Sequence, residues 1–236
     1  MENKSNFVNK KTMAHNPMFT EIIRIICISL FVHDILGYNL SKHFKTYFSS
    51  IFGGRSMYFT VFSLGMTIIA LSTGIISRIT KHKKLKSVYE ICLVVAFTAE
   101  TIVTVTFWPL YIFKQDLLYS DVLSKKEMID KIYTDIIQHI LPFIVLIFEI
   151  CIIPLKINIK QKTFAFVYST SYMLWAHYLA SRNNIWAYPL LKKITSLFRM
   201  LLATTLTMIG LIICEYLCIF VNRIHFKKRS SKQKKM

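Results

Sequence analysis

The chain has 236 residues, 54% of them hydrophobic and 18% charged, with a formal net charge of +18 and a mean hydropathy of +0.45. A water-soluble domain averages about 45–50% apolar and about 25% charged residues, so this composition argues against an ordinary soluble protein and for a membrane class. The positive charge does not mark a nucleic-acid partner, because the lysines and arginines fall between apolar runs and in the last segment, where they act as topology signals.

The polar start, residues 1 to 19, lacks the short apolar core and small-residue cleavage site of a secretory signal, so the first apolar run is expected to be a retained anchor. Crossing a hydrocarbon core of about 30 Å takes about 20 predominantly apolar helical residues. Runs of this kind occupy 20 to 39, 57 to 77, 88 to 112, 136 to 155, 163 to 180 and 198 to 221. The expected fold is therefore all-α: a six-transmembrane-helix bundle over 20 to 221, with a tail at 1 to 19 before it and a basic tail at 222 to 236 after it. The fifth run is the most polar, with Ser169, Thr170, Ser171 and His177, yet the stretches 164 to 168 and 172 to 175 are too apolar for a soluble loop.

Loops rich in Lys and Arg stay in the cytosol. With an even number of spans, the two tails and the second and fourth loops share a side and hold eighteen of the thirty basic residues, against ten in the other loops. Both termini are expected to be cytoplasmic. The tail from Arg223 is basic enough to touch anionic headgroups. It ends Lys232-Gln-Lys-Lys-Met236, which resembles a dilysine retrieval signal and makes the endoplasmic reticulum the expected endomembrane location, with the plasma membrane as the alternative.

Cys27, Cys92, Cys151, Cys214 and Cys218 all lie in apolar runs without the spacing of a zinc site or a secreted disulfide framework. No cofactor or metal is expected. Ionisable groups within spans are costly and are by default either functional or paired. Glu100, His139 and Glu149 are the deepest of them.

Asp135 and His139 are one helical turn apart, so the carboxylate shares a face with the imidazole and is placed to orient it. Thr60 lies three residues into the second span and His139 three into the fourth, and both spans run inward from the non-cytoplasmic side. At 1.5 Å per residue both sit roughly 5 Å below one interface. A membrane Thr ordinarily bonds its own helix backbone, but a Thr beside a His can serve as a nucleophile with its base.

The segments around these positions, Gly53-Gly-Arg-Ser-Met-Tyr-Phe-Thr60, Phe107-Trp-Pro-Leu-Tyr111, Asp116-Leu-Leu-Tyr119, His139-Ile-Leu-Pro-Phe143 and Trp186-Ala-Tyr-Pro189, occur in the order found in a known family. Over roughly residues 20 to 221 the chain resembles the androgen-induced gene 1 and androgen-dependent TFPI-regulating proteins. The resemblance implies a multi-pass hydrolase of fatty acid esters of hydroxy fatty acids, with Thr60 as nucleophile and His139 as base. In the family a Glu follows the His by ten positions, as Glu149 follows His139, whereas the Leu-Pro after His139 stands two residues closer than in the animal members, and Asp135 replaces an Asn. Asp135 and Glu149 are thereby candidate supporting residues. Tyr111, Tyr119, Trp186 and Tyr188 fall on the same outer side, as an interfacial aromatic belt or as substrate contacts. The expected partners are a membrane lipid substrate and the bilayer, with no nucleic acid.

Two function classes follow: a lipid-ester hydrolase, and a non-enzymatic membrane regulator or scaffold in which these residues only pack. A channel or transporter would want a filter loop, gating charges or paired broken helices, and the sequence displays none of these.

Overall fold

In a computed structural model, residues 17–118 and 132–233 are described, and among them the secondary structure is entirely helical. The helices are α1 (Pro17–Ile35), α2 (Lys42–Ser50), α3 (Phe59–Thr80), α4 (Lys83–Phe113), α5 (Gln115–Leu118), α6 (Ile132–His139), α7 (Leu141–Ile152), α8 (Ile159–Asn183), α9 (Pro189–Lys193) and α10 (Ser196–Gln233), with a 3-10 turn at Gly54–Met57. Three of them, α3, α4 and α10, are long and apolar enough to cross a membrane, and α6 with α7 forms a fourth such segment if the bent pair is taken as one. The first expected span corresponds to α1, but Glu21, Arg24 and Asp34 place three charges within its 19 residues. The fifth corresponds to α8, whose hydroxyls and basic residues keep its hydropathy low.

The fourth expected span is broken. Pro142 has no N–H for the carbonyl four residues back, and its ring crowds that turn. The helix stops at His139, turns at Ile140, and resumes at Leu141 with a bend of 41°. At the break, the carbonyl of His139 accepts a hydrogen bond from Thr104 Oγ1 on α4 at 2.8 Å. A second departure is α2, which lies in the first loop. Ser41 caps it by accepting from the Phe44 N–H, and Phe44 stacks on Phe48 one turn later.

At the centre stands α4, apolar on all sides from Leu93 to Phe97 and packed against α3, α7, α8 and α10. At one end of the bundle Arg24 of α1 reaches inward and donates to both carboxylate oxygens of Glu149 on α7, at 2.7 and 2.6 Å. Tyr89 of α4 donates to the same carboxylate. Glu21 links Arg24, at 3.1 Å, to Arg78 of α3, at 2.7 Å. The absence of a side chain at Gly74 makes room, since a Cβ there would lie 3.2 Å from the Arg24 guanidinium carbon. Four helices are thus tied by one buried ion cluster.

Candidate functional site

The opposite end of α3 is built around the turn that precedes it. Gly53 has φ of +83°, and a Cβ there would meet Leu179 of α8 at 2.7 Å, so only glycine fits both the backbone and the space. From α8, Trp175 Nε1 donates to the Ser56 carbonyl at 3.2 Å, Tyr172 to the Met57 carbonyl at 2.8 Å, and Tyr168 to the Phe62 carbonyl at 2.6 Å. Asn183 exchanges two hydrogen bonds with the Phe52 backbone, each of 2.9 Å. These contacts hold the entry to α3 against a single face of α8.

Asp34, at the end of α1 and 1% exposed, joins this entry to the broken helix. Its carboxylate pairs with Arg55 at 3.2 Å and accepts from Gln138, the neighbour of His139, at 2.9 Å. Arg55 also donates to the carbonyls of Asp34 and Ile35. One buried carboxylate therefore sets the spacing between the segments that carry Thr60 and His139. Asp34→Ala is expected to leave Arg55 without its ionic partner, costing about 1–3 kcal/mol, for a charged hydrogen bond lost at a partly buried site. The loss should appear as a lower melting temperature in detergent.

Between the start of α3, the end of α4, the middle of α8 and the start of α10 lies an apolar cavity of about 120 Å³. Ile102, Val103, Phe107, Leu202 and Leu206 supply much of its wall, and Thr60, Thr106, Ser169, Tyr172 and Tyr188 bring the polar atoms. The threonines differ in a telling way. Thr106 donates to Ile102, Thr101 to Phe97, Thr67 to Ser63 and Thr207 to Ala203, each to the carbonyl one turn back. Thr60 is the second residue of α3; the carbonyls one turn back, of Ser56 and Met57 in the 3-10 turn, accept from Trp175 and Tyr172, and the Thr60 hydroxyl makes no such bond. Its side chain instead lines the cavity together with Tyr188.

His139 is buried, and its ring stacks on Phe107 with centroids 3.5 Å apart and planes 8° from parallel. Phe107 lines the cavity, so the imidazole lies one ring behind the wall that Thr60 helps to form. Thr60 and His139 are not hydrogen-bonded to each other. Nδ1 of His139 is buried without a hydrogen-bond partner. Asp135 does not bond that nitrogen. Glu149 is not beside the histidine either: it belongs to the Arg24 cluster, which packs at Gly74, fourteen residues from Thr60 and roughly 21 Å along α3 at 1.5 Å per residue.

Of the aromatic residues expected on this side, Tyr188 lines the cavity. Tyr111 stacks on Phe107 at 5.4 Å. Trp186 lies under Arg199, 3.9 Å from guanidinium carbon to ring centroid, and edge-on to His177. Tyr119 falls outside the described residues. Tyr168, Tyr172 and Trp175 went unnoticed as positioning groups in the sequence, although their spacing of four and three residues on one helix was the available signal.

Comparison with known proteins shows the family. The model of the FAR-17a/AIG1-like protein family matches residues 20–222. A UPF0641 membrane protein of Schizosaccharomyces pombe is 24% identical over 143 residues, covering 59% of this chain and 63% of that protein. The chain thus spans somewhat less than two thirds of the curated relative it matches. No solved structure matches the chain.

Proposed function

Because the chain belongs to the FAR-17a/AIG1-like family, we propose that it is an integral-membrane hydrolase of lipid esters, acting on fatty acid esters of hydroxy fatty acids. The observation that carries this reading is Thr60, whose hydroxyl bonds no carbonyl of its own helix and which borders an apolar cavity. Thr60 Oγ attacks the ester carbonyl, His139 takes the proton, and water later releases the acyl group from Thr60. Catalytic hydrogen bonds are often unmade before substrate binds. In this reading the His139 ring, stacked on the cavity-lining Phe107 and with no hydrogen bond on Nδ1, acts on Thr60 once substrate binds, directly or through water.

The same reading takes α1 and α8 as spans along with the other four segments, giving six, with both termini in the cytosol and residence in the endomembrane system. The ester of a lipid lying near the outer headgroups then reaches the depth of Thr60.

The test is purified protein in detergent with a fatty acid ester of a hydroxy fatty acid, comparing wild type with His139→Ala. Removal of a general base is expected to lower kcat by about 10²–10⁴-fold. A fluorophosphonate probe should label wild type at Thr60. A wild-type protein that neither hydrolyses the ester nor takes the label is a scaffold, and the hydrolase reading is then wrong.

A further inference from the structure

Resting on the hydrolase reading above, we infer that Arg199 is the residue that selects the substrate: its guanidinium binds the free carboxylate of the hydroxy fatty acid while the ester lies in the cavity beside Thr60.

Two connections place Arg199 at the rim of that cavity. On α10 it precedes Leu202, Ala203 and Leu206 by three, four and seven residues, the spacing of one helix face, and all three line the cavity. Helical side chains lean towards the N-terminus of their own helix, so the guanidinium reaches away from these residues to the start of α10. There Nε donates to the carbonyl of Leu191, itself a lining residue, at 2.6 Å. An apolar interior with a cation at its rim matches a molecule that carries a long acyl chain and one ionised carboxylate. A neutral ester has no group for that cation.

The guanidinium is held in place without being satisfied. Trp186 lies against it, with the guanidinium carbon 3.9 Å from the ring centroid, and His177 meets Trp186 edge-on at 4.9 Å. Nε is spent on Leu191, Nη1 reaches Ser196 Oγ only at 3.4 Å, and Nη2 makes no hydrogen bond among the described residues. Arg24, Arg55 and Arg78 each pair with a carboxylate, at 2.6, 3.2 and 2.7 Å. Arg199 pairs with none among the described residues. Guanidinium donors form a planar fork that takes a carboxylate through two parallel bonds, and the Nη1–Nη2 edge is the one that remains for it. Exposed Lys192 and Lys193 on α9 add positive potential nearby, Lys193 being shared with Asp116 at 3.8 Å. Arginine suits a rim of apolar walls and an aromatic face, because it is more weakly hydrated than an ammonium and stacks on rings.

The test compares two substrates that differ only at that carboxylate, the free acid and its methyl ester, on the full chain in detergent, with release of the branching acyl chain read by mass spectrometry. Wild type is expected to prefer the free acid. Arg199→Gln should raise KM for the acid about 10–100-fold, as for a lost hydrogen bond to a charged group, with kcat nearly unchanged and methyl ester kinetics as in wild type. Equal kcat/KM for the two substrates in wild type overturns the inference. So does an undiminished preference for the acid in Arg199→Gln, or an equal loss on both substrates, which is what a merely structural role beside Trp186 would give. Each of these leaves the hydrolase reading standing. Should Arg199→Gln fail to fold, Arg199→Lys replaces it: lysine keeps the charge but not the fork, so the preference should fall, and a preference equal to wild type overturns the inference. Absence in wild type of turnover on both substrates and of probe labelling overturns the two readings together.

Discussion

Thr60→Ala is expected to reduce hydrolysis of a fatty acid ester of a hydroxy fatty acid by about 10⁴-fold or more, leaving only what binding and electrostatics supply. The size follows from covalent catalysis: without the hydroxyl there is no acyl-enzyme, and neighbouring groups have no substitute oxygen in place. Nearby Thr106 does not replace it, because its hydroxyl is committed to the Ile102 carbonyl. Thr60→Ser should retain turnover within about a hundredfold of wild type, since the oxygen remains and only the methyl that fixes its rotamer is lost. Folding is expected to be spared. Thr60 is at the second position of α3 and its hydroxyl bonds no carbonyl of its own helix, so melting in detergent should shift little in either variant. Product analysis by mass spectrometry and labelling by the fluorophosphonate probe should fail together in Thr60→Ala. Ester hydrolysis that persists at the wild-type rate would place the nucleophile elsewhere.

The second large effect is on stability. Arg24→Ala strips the cation from a cluster in which Arg24 is 3% and Glu149 1% exposed. Breaking a buried ion pair by removing one partner costs about 3–5 kcal/mol, because the remaining charge stays desolvated. Thermal unfolding in detergent should register that loss. Replacing both groups, as in the double variant Arg24→Met with Glu149→Leu, should recover most of it, since an apolar pair of similar volume leaves no orphan charge. Turnover per folded molecule should change little in the double variant, the cluster being roughly 21 Å along α3 from Thr60. A double variant as unstable as Arg24→Ala would mean that packing around Gly74, and not the unpaired charge, governs this end of the bundle.

These two predictions separate residues that looked alike in the sequence. Glu149 stands ten positions after His139 and so resembled a partner of the catalytic histidine. Distance along the helix, and the break at Ile140, send it to Arg24 instead. Asp34 shows the reverse. As one ionisable residue among several in the first apolar run it carried no distinctive signal, yet it joins the Arg55 turn to Gln138 and so relates Thr60 to His139. Such a contact spans more than a hundred residues, and no local pattern announces it.

By itself the sequence determined that the chain is helical and apolar and where most of its helices lie. These follow from run length, charge placement and the rise of a helix, all of which are local properties. Only the tertiary structure decided the rest: that Pro142 breaks the fourth segment beside His139, that α8 clamps the entry to α3, that the His139 ring lies behind Phe107, and that Thr60 and Tyr188 line one cavity. The reason is physical. Which face of a helix is buried, and which distant side chain satisfies a polar group there, depends on how helices pack, and packing is settled by contacts between residues far apart in the chain.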